Sequence, residues 1–441
     1  MDSDHTPVDL LLKNGLVLTL DSDDNTFQPG AVAIRAEQII AVGPSLQIEA
    51  QVQAAKVLDV EGCIVMPGLV NAHTHAAMTL FRGLADDLPL MEWLQNYIFP
   101  AEKSLTADMV YWGTMLACAE MILSGTTTFC DMYLFEHKVA EAARQAGVRA
   151  LVGEVLYDFP SPHYGDITNG LKFTEALIEQ WKGDPLISIA VEPHAPYTCS
   201  PSLLQKCRAL AERHDAFLIM HLSENQREVD EVLRTYGRRP AAHLEELDLL
   251  TPRLIADHCV ALDDHDMELL ATRGVQVVHN PESNMKLASG IAPVARLLQL
   301  GVNVALGTDG CASNNDLDLF GEMDSCAKLH KVANLDPTVL PARDVLRMAS
   351  QNGAQALGMT HKIGRIAPGK WADVIVLDLR KPHLVPLYEP VSQLVYSARG
   401  ADVRHTIIHG RLVMEDRRLL SMDIREVMHH VREFSQLFKS L

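Results

Sequence analysis

Between residues 63 and 306 one theme recurs eight times: a short apolar run, then a longer stretch with helical periodicity. The runs are Cys63–Val70, Thr126–Asp131, Arg149–Leu156, Ile187–Val191, Ala216–His221, Leu254–Val260, Val275–His279 and Val302–Leu306. Helical patterns such as Ala107–Leu123, Glu136–Ala146, Pro201–Arg213, Gln226–Tyr236 and Met267–Thr272 lie between them. Eight strand–helix units spread over residues 67–363 predict an α/β fold, a (β/α)8 TIM-type barrel. The alternative, a doubly wound open sheet, favours a glycine-rich phosphate loop after its first strand. Neither G-x-G-x-x-G nor a Walker loop occurs.

The chain ends have a different texture. Leu10–Leu12 and Leu16–Leu20 flank Asn14-Gly15, a pair tolerant of positive φ that predicts a hairpin. Ala31–Arg35, Gln38–Val42 and Lys56–Val60 continue as strands. Strand texture returns at Asp373–Asp378 and Arg404–Ile408, followed by a turn at His409-Gly410. Residues 1–66 plus 364–420 are therefore expected to form one small β domain, with the barrel inserted between its halves. In the last segment, 421–441, an amphipathic helix is expected over Ile424–Phe438, with Val427, Val431, Phe434 and Phe438 on one stripe.

Composition narrows the class of function. At 48% hydrophobic and 22% charged residues the chain can bury enough surface to fold, which excludes a disordered protein. Its 38 basic against 57 acidic residues leave a net charge of −19, which argues against nucleic acid, whose phosphates reward clustered Lys and Arg. The 8 cysteines (63, 118, 130, 199, 207, 259, 311 and 326) form no Cys-x-x-Cys pair, as expected in a reducing compartment. The opening MDSDHTPVDLLLKNG lacks a basic, then apolar, leader pattern. No segment approaches the roughly 18 apolar residues of a membrane span. A cytoplasmic protein with no membrane partner is the expectation.

Barrel enzymes carry their chemistry at the C-terminal ends of the strands. Those ends hold His73 and His75, then His194, then His221 with Glu224, His258, His279-Asn280 and finally Thr308-Asp309. Among 19 histidines a lone His-x-His is weak evidence; its placement makes it informative. Residues two apart on a strand share a face, so both imidazoles can enter the barrel mouth. A further His and an Asp from other strand ends complete a donor set suited to Zn2+ or another divalent transition metal. His137, His214, His265 and His330 fall in helical or loop patterns and are expected to be structural.

The segment VMPGLVNAHTH at 65–75 is far more specific than the bare pair. With PGLVNAHTHAAMTLFRGLADDLPLMEWL, PAEK at 100–103, PHAPYT at 193–198, HLSE at 221–224, HNPESNMKLASG at 279–290 and GTDGCASNNDLDLFGEM at 307–323, the chain resembles the amidohydrolase superfamily. Within it, the resemblance is to the branch of 5-methylthioadenosine/S-adenosylhomocysteine deaminases and triazine hydrolases. It implies that the split β domain is a small β-sandwich and that His73, His75, His221 and Asp309 ligate metal. Members with two metals bridge them through a Lys after the fourth strand. Ile187–Thr198 has none, so one divalent ion is expected, Zn2+ first, with Fe2+ and Mn2+ as alternatives.

The implied reaction is hydrolytic deamination at C6 of a purine nucleoside. A divalent metal can lower the pKa of its water from 15.7 toward about 7. Asp309 would take that proton, Glu224 would protonate the ring nitrogen, and His258 would orient the nucleophile. Otherwise Glu224 would serve as a helix N-terminal acid. By resemblance Glu102 and His194, with Glu224 and Asp309, contact the nucleoside; without it Glu102 reads as a solvated helix-end charge. Arg82–Pro100, with Leu88, Leu90, Met91 and Trp93, reads as a loop over an apolar ligand or as core packing.

Relatives that accept S-adenosylhomocysteine are expected to place two arginines near the third strand. Here Glu154 stands for the first, with Lys172 the nearest substitute and no Arg between Arg149 and Arg208. Methylthioadenosine or adenosine is therefore favoured over the homocysteine adduct. Rival readings are a free-base deaminase such as one for guanine, a triazine hydrolase, and a non-catalytic scaffold. The scaffold would be expected to lose ligands that are all present. A small-molecule purine nucleoside partner and a homodimer or higher homo-oligomer complete the expectation.

Overall fold

A computed structural model describes residues 5–88, 92 and 94–438. The chain opens with β1 (Thr6–Leu18), β2 (Thr26–Arg35), β3 (Gln38–Pro44), β4 (Val52–Asp59) and β5 (Cys63–Pro67). Nine parallel segments follow: β6 (Leu69–Thr74), β7 (Thr126–Tyr133), β8 (Arg149–Leu156), β9 (Ile187–Ile189), β10 (Glu192–Pro193), β11 (Leu218–Leu222), β12 (Leu254–His258), β13 (Gln276–His279) and β14 (Asn303–Leu306). Four more close the chain: β15 (Val374–Asp378), β16 (Val403–Ile408), β17 (Arg411–Glu415) and β18 (Arg418–Leu419).

The parallel strands form two arcs, β10-β8-β7-β6 with β9 also on β8, and β11-β12-β13-β14. A few hydrogen bonds join the arcs. At one seam Ile219 N donates to Val191 O at 3.2 Å and His221 N to His194 O at 3.0 Å. At the other, Asp309 N donates to His73 O at 3.0 Å and Thr308 N to Asn71 Oδ1 at 3.0 Å. With β9 and β10 as one interrupted strand, the chain is the expected eight-stranded barrel. The seams lie among the site residues, so the ends of the two arcs fix those residues against one another.

The apolar run Cys63–Val70 divides between two sheets. Gly68 is the joint: a Cβ there would lie 2.2 Å from the Thr127 side chain, so only glycine permits this approach. Before it, Cys63 and Val65 enter the core of the end sheet; after it, Leu69 and Val70 enter that of the barrel. One continuous hydrophobic run thus serves two cores, which periodicity could not reveal.

The end sheet runs β18-β17-β16-β15-β5-β1-β2-β3, with β4 on β1. One sheet folds over its own core, so that Ile34 and Ile39 meet Val374, Val376 and Ile407. Its other face, with Leu16, Ile64, Met66 and Ile375, packs on the barrel. The expected hairpin at Asn14-Gly15 is not formed. Asn14 does take a positive φ of 66°, but β1 runs straight through it, and the register on β2 slips between Leu12 and Gly15. A left-handed residue serves a bulge as well as a turn, and here both flanks already have partner strands.

Buried Arg149 at the start of β8 clamps the sheet to the barrel, its guanidinium 3.0 Å from the Asp373 carboxylate and stacked 4.3 Å over Trp371. The helix Ile424–Phe438 forms as expected, burying Val427, Val431 and Phe438, with Phe434 partly covered. Among the described residues no helix is long and apolar enough to cross a membrane.

Candidate metal centre and active site

His73, His75 and His221 bring one ring nitrogen each to within 4.8 Å of the others. Their outer nitrogens are all engaged. His73 Nδ1 lies 3.1 Å from the buried Asp257 carboxylate, His75 Nδ1 contacts the Met132 carbonyl, and His221 Nδ1 is 2.9 Å from the His194 carbonyl. A carbonyl or carboxylate there must accept, so each Nδ1 carries hydrogen and each Nε2 presents a lone pair inward. His73 Nε2 is buried with no hydrogen-bond partner. Asp309 Oδ1 completes the set, 3.1 Å from His75 Nε2 and 3.6 Å from His73 Nε2. An orphaned buried lone pair, two more beside it and a carboxylate fit a divalent cation.

Electrostatics agree with that fit. Burial, then the neighbouring imidazoles of His194 and His73, hold His221 well below its usual value and so neutral, as a ligand must be. Burial also opposes charge on His73, but Asp257 and Asp309 outweigh it and lift the imidazole to about 10, so the two carboxylates favour a positive charge here, carried by a proton or by a metal ion in its place. The position of Asp309 is over-determined. Its Oδ2 accepts from Ser283 at 2.6 Å and Ser313 at 3.0 Å, and its Oδ1 from Gly310 N at 2.8 Å. Asp309, His258 and Ser223 all adopt left-handed φ, at 62°, 70° and 51°, which turns the chain sharply at three strand ends.

His258 follows Asp257 on β12. Its Nδ1 donates to Asn284 Oδ1 at 2.8 Å, leaving Nε2 as a lone pair 3.9 Å from Asp309 Oδ2. Glu224 lies in the turn after β11. Asn225 caps the next helix by accepting from Glu228 N at 3.0 Å, and the Glu228 carboxylate accepts from Ser223 N and Glu224 N. Those two side chains meet the helix's capping needs, so Glu224 is free to point into the cavity that it lines. There burial raises its carboxyl above the usual range.

That cavity, about 660 Å3, is lined by His75, His221, Glu224, His258 and Asp309 at the metal end and by Glu102 and His194 beside them. Burial lifts Glu102 to about 7, with Tyr133 beside it working the other way, so it is not a freely solvated charge. His194 is held neutral, lowered to about 4 by burial and by the other imidazoles, with its Nδ1 on Thr198 Oγ1 at 2.9 Å. Leu94, Ile98 and Phe99 line the cavity as the first-loop expectation requires, while Leu88 packs on the core. Leu90, Met91 and Trp93 lie outside the described residues.

The arrangement departs from the sequence reading at several points. His279 faces away from the site, its Nε2 3.1 Å from that of His330 on the helix Leu319–Asn334. Glu154 is fully buried and accepts from His163 Nδ1 at 2.7 Å, so it meets no ligand. Lys172 is exposed and does not line the cavity; Lys103 does. Sequence reasoning missed Asp257, Ser283, Ser313 and Asn284, which hold the side chains of His73, Asp309 and His258. The available signal was an acid inside the apolar run Leu254–Val260, where an ionised group needs a partner.

Comparison with known proteins agrees with this geometry. Residues 64–413 match the amidohydrolase family. A 5-methylthioadenosine/S-adenosylhomocysteine deaminase of Syntrophobacter fumaroxidans is 72% identical over 98% of both chains. A 5′-deoxyadenosine deaminase of Methanosarcina mazei is 46% identical over 97% of this chain and 98% of its own. The crystal structure of an adenosine deaminase from Xanthomonas campestris with bound zinc, 41% identical, superposes with a TM-score of 0.97 over 99% of this chain and 100% of that one. The chain belongs to the amidohydrolase family and is an enzyme of its deaminase branch.

Proposed function

We propose that this enzyme hydrolyses the 6-amino group of adenosine-type nucleosides with an uncharged 5′ position, 5′-methylthioadenosine foremost and adenosine next, giving the inosine analogue and ammonia. One observation carries the reading. A single cavity joins His75, His221 and Asp309, with the proton-handling Glu224 and His258, to Glu102 and His194, a carboxyl and a neutral imidazole suited to ribose hydroxyls. The names of the most similar relatives support the same substrate class.

In this reading His73, His75, His221 and Asp309 hold one divalent ion, zinc by analogy with the Xanthomonas structure. Bound there, such an ion would supply Lewis-acid chemistry, lowering the pKa of water so that it can serve as the nucleophile at neutral pH. Asp309 accepts the proton of the attacking water and passes it to the departing amine. Glu224, whose carboxyl burial raises above its usual range, donates a proton to the ring nitrogen beside C6 as the water adds, and takes up the remaining hydroxyl proton as the C6–N bond breaks and the carbonyl forms. His258, its tautomer fixed by Asn284, accepts a hydrogen bond from the attacking oxygen. Glu102 and His194 grip the sugar and hold C6 over the metal end, converting binding energy into orientation.

Glu102→Gln tests the sugar contact. The account expects KM for nucleosides to rise about tenfold or more, in the range of a lost charged hydrogen bond, with metal content intact. An unchanged KM would return Glu102 to a structural role.

A further inference from the structure

The cavity also has an apolar outer chamber, where the partly exposed Phe99 and Phe159 stand with Leu94, Ile98, Val155 and Tyr157. Rings step outward from the metal end: His194 to Tyr157 at 6.4 Å between centroids, then Tyr157 stacked on Phe159 at 3.9 Å and 12°. Phe159 is 46% exposed and Phe99 39% exposed, and both line the cavity. Large apolar rings lining a cavity yet open to water gain free energy when a ligand's apolar group covers them.

The wall is built in advance. Glu154 sits where a carboxylate-binding arginine was expected, and instead fastens the loop that carries Phe159. It accepts from His163 Nδ1 at 2.7 Å and from Glu136 N at 2.9 Å, while Ser161 and Gly165 exchange backbone hydrogen bonds of 2.9 and 3.0 Å across the loop. A preformed surface spends little affinity on ordering itself.

Size and charge then limit the occupant. At interior packing density a methylthioadenosine of about twenty heavy atoms fills roughly 300–400 Å3, less than the 660 Å3 of the whole cavity with its metal end and open mouth included. Among the described residues lining the cavity Lys103 is the only Lys or Arg, an exposed point charge without the fork that grips a carboxylate. The group that best fills the outer chamber is therefore bulky, uncharged and apolar.

We propose that this chamber is a subsite for large hydrocarbon 5′ substituents, so that the enzyme deaminates adenosines bearing alkylthio and arylalkylthio groups well beyond methyl. The proposal rests on the nucleoside reading above. Its test is kcat/KM for ammonia release by metal-loaded enzyme from adenosine and its 5′-methylthio, butylthio and benzylthio derivatives, with guanine as a further substrate. Values for the butylthio and benzylthio compounds at or above the methylthio value are expected. Phe159→Ala should lower the benzylthio-to-adenosine ratio at least tenfold, and Phe159→Leu should restore most of it. A benzylthio value more than tenfold below methylthio, or a ratio unmoved by Phe159→Ala, overturns the subsite while leaving the nucleoside reading intact. Turnover of guanine with none of the nucleosides would remove both.

Discussion

His73 and Asp257 are both almost wholly buried and lie 3.1 Å apart, Nδ1 to Oδ2, so a carboxylate from β12 aims an imidazole from β6 across the barrel. The pair joins strands from the two arcs and fixes which nitrogen faces the candidate metal centre. Asp257→Asn should therefore weaken metal binding about 10–100-fold, the usual cost of losing such a partner. Competition against a chelator would measure it, and an affinity equal to wild type would contradict the assignment.

Glu224 is expected to act chemically. Glu224→Gln should lower kcat by about 10²–10⁴-fold, the range for a lost proton donor, while bound metal and the unfolding midpoint stay near wild type. Asn225 and Glu228 hold the helix start without it. Retained turnover, or loss of metal together with activity, would count against this role.

The Arg149–Asp373 pair is expected to matter for stability alone. Removing one partner leaves the other charged and buried, so Arg149→Leu should cost about 3–5 kcal/mol. The double variant Arg149→Leu/Asp373→Asn should recover part of that loss. Denaturant unfolding gives both numbers, and a double variant no better than the single would argue that packing on Trp371, at 4.3 Å, dominates.

Stability should also depend on pH through Glu228, whose carboxyl burial raises from 4.5 to about 8. Its folded value lies above its unfolded one. Between those two values the folded chain binds more protons than the unfolded chain, and stability falls as pH rises. Relative to Glu228→Gln, wild type should lose stability from pH 5 to pH 8 and change little beyond. Parallel curves for the two proteins would contradict this.

Much of the architecture was legible because it rests on local pattern. Arg149–Leu156 and Ile424–Phe438 form with the boundaries their periodicity implied. His73, His75, His194, His221, Glu224, His258 and Asp309 converge because strand ends converge in any such barrel. What stayed hidden depends on partners distant in sequence. Asn14-Gly15 could not announce a bulge until β2 lay beside it, and Cys63–Val70 could not show that Gly68 parts two cores. His279 carries the signature of a site residue, yet its side chain faces the helix Leu319–Asn334, where His330 awaits it. Glu154 was read by position as a missing cation, whereas its partner His163 makes it a fastening for the loop beside the cavity.

The most direct test of the account is ammonia release from purified, metal-analysed enzyme given methylthioadenosine, adenosine, S-adenosylhomocysteine and guanine side by side. The account predicts the highest kcat/KM for methylthioadenosine, adenosine next, and S-adenosylhomocysteine well below both, because among the described residues no guanidinium lines the cavity. Turnover confined to guanine, or fastest with the homocysteine adduct, would contradict it.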